Sequence, residues 1–311
     1  MRTRSLLQPR VGAVLALEDP ALGGHVESVH DFRVATRSLR ASLRTLTRRP
    51  DSALVRQARR VLQKATRALA DARDRDVGHA LLSRLPFVTP EQSALKRRLL
   101  GLSSSDRRVA LIACLAHWPR ELDRLLVALL KRAEPSVKSI IMRTRAEAWQ
   151  QRHRALLVLK VVGRRFNPVL LHELRRRIRS LRYAVEVLSE VDSGAHARVV
   201  QLKPLQSALG DTQDRIVLSR WLSLQASRFS RTDRALSLAL REAAAHFKAQ
   251  SIEAHATFLR LKPGNILEGL ALHVDAPDRP RRPVPASHPA PGAAPKASAA
   301  RARKRITRTA G

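Results

Sequence analysis

The stretch His30 to Arg48, HDFRVATRSLRASLRTLTR, decides how this chain is read, because it returns in altered form at His172 to Glu190 as HELRRRIRSLRYAVEVLSE. A histidine and three arginines hold the same relative positions in both copies. In the first, His30, Arg33, Arg37, Arg40 and Arg44 fall within about 80° of one helix face at about 100° per residue. Phe32, Leu39, Leu43 and Leu46 fall on the opposite side. The second copy puts His172, Arg175, Arg179 and Arg182 on the same arc, with Leu174, Leu181, Val185 and Leu188 opposite. Each stretch predicts a helix with a core on one side and a row of cations on the other, and the repetition predicts one binding task performed twice.

The pattern extends outward. Residues 68–77 (ALADARDRDV) match 208–217 (ALGDTQDRIV), aligning Asp71 with Asp211, Asp74 with Asp214 and Arg75 with Arg215. These aspartates are read as helix caps that orient nearby arginines, with a metal bridged to phosphate as the alternative. A tandem duplication of helical bundles is the economical explanation. Glycine is scarce, and Leu, Ala and Arg recur with helical spacing throughout, so the chain is read as all-α. Helices are expected over about 26–48, 52–84, 90–101, 105–132, 136–161, 168–191, 196–209, 212–228 and 231–262, separated by prolines and glycines such as Pro50, Pro135, Pro168, Gly194 and Pro263. Basic residues line several of them. Arg56, Arg59, Arg60, Lys64 and Arg67 share one arc, and Lys138, Arg145 and Arg152 recur every seven residues, as do Arg241, Lys248, His255 and Lys262.

Among the 311 residues the net charge is +33, and 44% are hydrophobic, ample for a core. Such charge works against stability through self-repulsion, and its natural counterpart is a polyanion. Nucleic acid, an anionic membrane surface and inorganic polyanions all qualify. Aromatic residues make up only 3%, which argues against reading single-stranded bases by stacking. The single cysteine, Cys114, lies in an apolar run and reads as a small buried hydrophobe. No apolar run approaches the roughly 18 residues that cross a bilayer. At the start, Gln8, Pro9 and Arg10 interrupt what would be a signal-peptide core, so this segment is read as a ragged lead-in and the cytoplasm as the expected location.

From about Ala276 the chain turns Pro/Ala-rich, and residues 276–311 are expected to be a disordered basic tail. Its nine Lys/Arg against Asp278 leave +25 on the rest. The expected organisation is therefore one folded domain, 1–275, in halves of about 20–162 and 163–275, followed by the tail. Within the tail, Arg279 to Pro283 loosely resembles arginine-proline cores that enter the DNA minor groove. That supports an alternative: sequence-independent DNA binding, with the tail tethering a polyanion-bound body to the nucleoid. No Walker loop, zinc-protease helix or nucleophile elbow occurs, so the chain is read as a binder rather than an enzyme, with no cofactor.

The two segments H-x-x-R-x-x-x-R-x-x-R, each followed some forty residues later by A-L-[AG]-x-x-x-D, resemble the CHAD family, the conserved histidine α-helical domain, over roughly residues 20–272. The resemblance implies two pseudo-symmetric four-helix bundles whose basic helices line a central groove or pore. It also implies binding of inorganic polyphosphate, often at bacterial polyphosphate granules. Carried over by position, the family motif selects His30, Arg33, Arg37, Arg40, His172, Arg175, Arg179, Arg182 and Lys203. Arg44, Lys64, Lys138, Arg145, Arg241 and Lys248 complete the candidate binding set from the basic stripes. The copies differ: Glu186 stands where Arg44 stands, Lys203 aligns with Gln63, and Ala70 replaces Gly210. No E-x-E-x-K stretch of a triphosphate-tunnel domain is present.

Polyphosphate suits these residues. It carries about one charge per phosphate and no bases, and Arg33 to Arg40 spans about 10 Å of helix. The arginine fork can take two phosphate oxygens at once. Histidines beside a polyanion gain charge, so binding is expected to strengthen between about pH 8 and 6.

Overall fold

The computed structural model describes residues 5–85, 90–132, 134–163 and 165–270, and no strand occurs among them. The expected tail, 276–311, lies outside the described residues. The helices are α1 (Leu7–Leu22), α2 (Val26–Leu46), α3 (Ala53–Ala68), α4 (Ala70–Ser83), α5 (Pro90–Ala116), α6 (Leu122–Leu130), α7 (Val137–Val162), α8 (Pro168–Ser189), α9 (His196–Phe229), α10 (Arg234–Arg260) and α11 (Pro263–Gly269). Their starts follow capping chemistry: the side chains of Ser52, Ser136, Asn167 and Asp233 accept backbone N–H groups of the first turns of α3, α7, α8 and α10. Pro168 at the first position of α8 gives up a donor that would have no intrahelical partner. Gly24 turns α1 into α2 at φ +80°, and a Cβ there would meet Leu111 at 2.9 Å.

Four departures from the sequence reading have physical causes. The expected lead-in is α1, whose Leu7, Val11, Val14 and Ala21 are buried. Pro9 sits in its first turn, where a missing N–H is harmless, and the largely covered Arg10 is held by Glu190 (2.6 and 3.0 Å). Helix 52–84 breaks at Leu69, separating α3 from α4. Conversely, α5 runs on through Ser103, whose hydroxyl donates to the Arg75 carbonyl (3.3 Å), and α9 runs through Gly210 without a break.

Packing joins the parts in three main cores. α1, α2, α3, α6 and the end of α5 close the first around Phe32, Leu39, Leu43, Leu62 and Leu126, and Cys114 is buried there as a small hydrophobe. α7, α8, the first half of α9, the end of α10 and α11 close the second around Leu174, Ile178, Leu181 and Phe258. The third joins α4 and the start of α5 to α9 and α10, with Leu82 and Leu99 against Leu218, Trp221, Leu240 and Phe247. A small fourth cluster of Leu46, Ile140 and Val187 lies where α2, α7 and α8 meet. α2 thereby packs along α8, and α4 along α9.

Candidate functional site

The apolar face of α2 is buried through Phe32, Leu39, Leu43 and Leu46, and that of α8 through Leu174, Leu181, Val185 and Leu188. With those faces committed to separate cores, the contact between α2 and α8 brings the two arginine rows together. Burial first, then the charges of Arg179, Arg73 and Arg175 against the opposing pull of Asp74, holds Arg33 down to about 10. Burial and then Arg33 hold Arg37 down to about 10. Arg179 is depressed by burial and next by Arg37 and Arg175, and Arg40 by burial, Arg59 and Arg67. All remain cationic at neutral pH.

Among the described residues Arg33, Arg37, Arg40, Arg175 and Arg179 form no ion pair. Arg33, 8% exposed, donates to the Thr66 carbonyl at 2.6 Å, and Arg175 Nε is buried without an acceptor. Half-buried guanidinium groups in each other's field, with donors unsatisfied, are destabilising on their own. What relieves them is an anion with many oxygen acceptors.

His30 and His172 flank the rows, each open to solvent on one side. Partial burial and then Arg73, Arg37 and Arg33 push His30 below its usual value despite Asp31. Burial and then Arg175, Arg176 and Arg179 push His172 down, opposed by Gln213 beside it. Both rings are therefore neutral at pH 7, able to donate from one nitrogen.

Within the field of the rows lie Asp74 on α4 and Asp214 on α9. Burial raises both carboxyls above the usual range, and Asp214 senses Arg175, Arg73 and Asp74. The order of buried, half-buried and exposed residues is identical over 69–80 and 209–220, which sets the two aspartates at matching depth. The helix-cap reading is corrected for both blocks: Asp211 and Asp214 lie inside the continuous α9, and Asp74 lies inside α4. Asp71 is in the first turn of α4, where no side chain caps the helix.

The remaining candidates are dispersed. Arg44 is exposed, 4.0 Å from Asp51. Arg182 is held by Gln206 and Glu186 and lies over the Tyr183 ring at 4.9 Å. Lys203 is exposed and acts on Glu186, and Lys64 is exposed on α3. On α7, Lys138 is exposed, while Arg145 pairs with Asp192 at 3.3 Å. Arg241 and Lys248 are exposed on α10, which packs on α9 and α11; Lys248 borders a separate pocket with Arg220. The expected seven-residue stripe on α10 is not one surface, since His255 is buried against Phe166 (5.6 Å) and Phe258.

Several site residues carried no sequence assignment. Arg73 bears on His30, Arg33 and Asp214, Arg176 on Arg40 and His172, and the buried Tyr183 on Arg37, Arg40 and Arg179. Arg73 and Gln213 occupy the same place in the two A-L-[AG]-x-x-x-D blocks, one residue before the aspartate, each beside a histidine. That shared position was the available signal. Among the described residues no group of three or more His, Cys, Asp and Glu could hold a metal ion.

Comparison with solved structures finds the same fold, for example in two chains. The protein described as PptA from Streptomyces chartreusis superposes with a TM-score of 0.66 at 18% identity, covering 83% of this chain and 97% of that one. The CHAD domain from the plant Ricinus communis superposes at 0.61 with 19% identity, covering 85% and 90%. No curated protein matches the chain. The profile of the CHAD domain matches residues 5–223, starting at α1 rather than at the histidine helix. With most of its helical body under that profile, the chain belongs to the CHAD domain family, a family associated with polyphosphate binding.

Proposed function

We propose that the protein binds inorganic polyphosphate along the seam between α2 and α8, as a binder and not as an enzyme, at polyphosphate granules in the cytoplasm. The observation that carries this reading is the cluster formed by Arg33, Arg37, Arg40, Arg175 and Arg179. It is half-buried, mutually repelling and without an ion pair among the described residues. A flexible chain of phosphates supplies acceptors at short intervals along such a row and needs no aromatic platform. The aspartates within the field of the rows keep the seam from being uniformly positive and favour a ligand that follows the guanidinium rows.

The test is competition between long-chain polyphosphate and duplex DNA for the full chain at near-physiological salt, with the salt slope measured for each because counterion release makes both affinities salt-dependent. Polyphosphate is expected to win, and Arg37→Glu and Arg179→Glu are each expected to weaken it about tenfold or more. DNA outcompeting polyphosphate, or wild-type polyphosphate affinity in both variants, overturns the reading. Incubation with polyphosphate and a divalent cation is expected to leave chain length unchanged; shortening that depends on Asp74 or Asp214 would make the protein an enzyme.

A further inference from the structure

Helix α7 turns its small and polar side inward. Ile140, Thr144, Ala148, Gln151 and Ala155 are buried, whereas Met142 (63% exposed), Trp149 (49%) and Leu157 (51%) lie on the opposite side, and Val161 (55%) follows near the end. His153 stacks on Trp149 at 5.6 Å and 5° between ring planes, extending the ridge. From Met142 to Val161 the stripe runs about 28 Å. Large apolar side chains ordered along one solvent face are unfavourable in water and mark an interaction surface. The neighbours of α7 are α8, α2 and α11, all on its other sides.

Charge around the ridge narrows the partner. Arg143 donates to the Thr47 carbonyl (2.8 Å), Arg145 pairs with Asp192, and Arg152 donates to the carbonyls of Leu267 (2.6 Å) and Glu268 (2.8 Å). Lys138, Arg154 and Lys160 are exposed and, among the described residues, have no partner. Glu147, the carboxylate of this helix, accepts from the Gln151 amide at 2.8 Å. The ridge is thus bracketed by free cations at both ends and one flank, with no free carboxylate on the helix. A second copy would set like charges against one another. A single convex helix also offers no groove to receive a partner's helix.

We propose that α7 docks on an anionic phospholipid bilayer, with Met142, Trp149 and Leu157 entering the acyl boundary and Lys138, Arg154 and Lys160 meeting headgroup phosphates. The contact is peripheral: no helix among the described residues is long and apolar enough to cross a membrane. It uses none of the α2 and α8 arginines that carry the polyphosphate reading, and shares with the wider candidate set only Lys138.

Flotation of the full chain with phosphatidylcholine vesicles, with and without phosphatidylglycerol, at near-physiological salt tests it. Binding is expected only to the anionic vesicles, with a blue shift of Trp149 emission. The other two tryptophans are engaged inside, Trp118 donating to Glu18 and Trp221 to Asp106. A Trp149→Ser, Leu157→Ser double variant leaves charge untouched and is expected to partition about tenfold or more weakly and to lose the shift. Vesicle binding unchanged in that variant means attraction by net charge alone and overturns the proposal. So does unmoved Trp149 emission, or a self-associated form of the free protein that the variant dissociates. Should the variant lose its far-ultraviolet helical signal, Lys138→Gln with Lys160→Gln carries the test: it keeps the ridge and is expected to weaken binding to anionic vesicles. Undiminished binding there counts against the proposal.

Discussion

After burial, the influence that most depresses Arg179 is Arg37, on the other arginine helix and 142 positions earlier in the chain. Two guanidinium groups that repel each other and form no ion pair among the described residues oppose folding, so the ligand-free protein carries them at the expense of its stability. Arg179→Gln is therefore expected to stabilise the free protein, by about 1 kcal/mol, which for a chain of this size is about 3 °C in melting temperature. The same variant is expected to lose about tenfold in polyphosphate affinity. Thermal melts with and without polyphosphate check both signs; a variant that melts lower when free would show that Arg179 is needed for packing.

The two histidines fix the direction of the pH dependence. Partial burial and then the surrounding arginines lower His30 and His172 in the free protein, and a bound polyanion offsets that repulsion and raises them. Binding then takes up protons, so affinity rises as pH falls through the bound-state values and levels off below the free-state values. The free values lie under the ordinary 6.5, which displaces the rise to the acid side of the window of about pH 8 to 6 expected from unperturbed histidine. Titration calorimetry in buffers of different ionisation enthalpy should find proton uptake near pH 6 that a His30→Ala, His172→Ala variant lacks. Equal uptake in that variant would assign the protons to other groups.

Asp74 and Asp214 predict a gain of function. Burial outweighs the nearby arginines and raises both carboxyls. A carboxyl raised in the folded state contributes stability when protonated, and that contribution is lost as pH rises through its folded value. Each carboxylate, when ionised, sits in an environment that disfavours its charge and beside the guanidinium rows proposed to hold the anion. Asp214→Asn is expected to raise the melting temperature and to tighten polyphosphate binding several-fold. A looser complex would show instead that Asp214 orients Arg175.

Periodicity made the arginine helices legible, since Phe32, Leu39 and Leu43 bury their side whatever they pack against. It left open which helices meet. Where α2, α7 and α8 meet, Leu46 joins Ile140 and Val187 in a small cluster, and nothing in the apolar pattern that contains Leu46 names those two partners. Local signals also misplaced boundaries: the break expected between 209 and 212 is absent from the 34-residue α9, and Leu69 broke a helix that spacing alone continued. The block position that Arg73 shares with Gln213 marks it in the sequence, but its effect on His30, on another helix, comes from proximity that spacing does not contain.

The two rows differ at their far ends, and the difference is measurable. Arg40 senses burial and other arginines and has no ion-pair partner among the described residues. Its counterpart Arg182 is held by Gln206 and Glu186 and lies over Tyr183. For Arg182 to grip a phosphate it must give up a charge-assisted bond of comparable strength, so its net contribution is small. Arg40→Gln is accordingly expected to weaken polyphosphate binding about tenfold and Arg182→Gln by less than about threefold. Glu186→Gln, which weakens the hold on Arg182, is expected to tighten binding and to make a subsequent Arg182→Gln as damaging as Arg40→Gln. Affinities across this double-mutant cycle decide it: strict additivity of the Glu186 and Arg182 changes would mean that the pair does not restrain the guanidinium, and that the asymmetry of the rows has no consequence for binding.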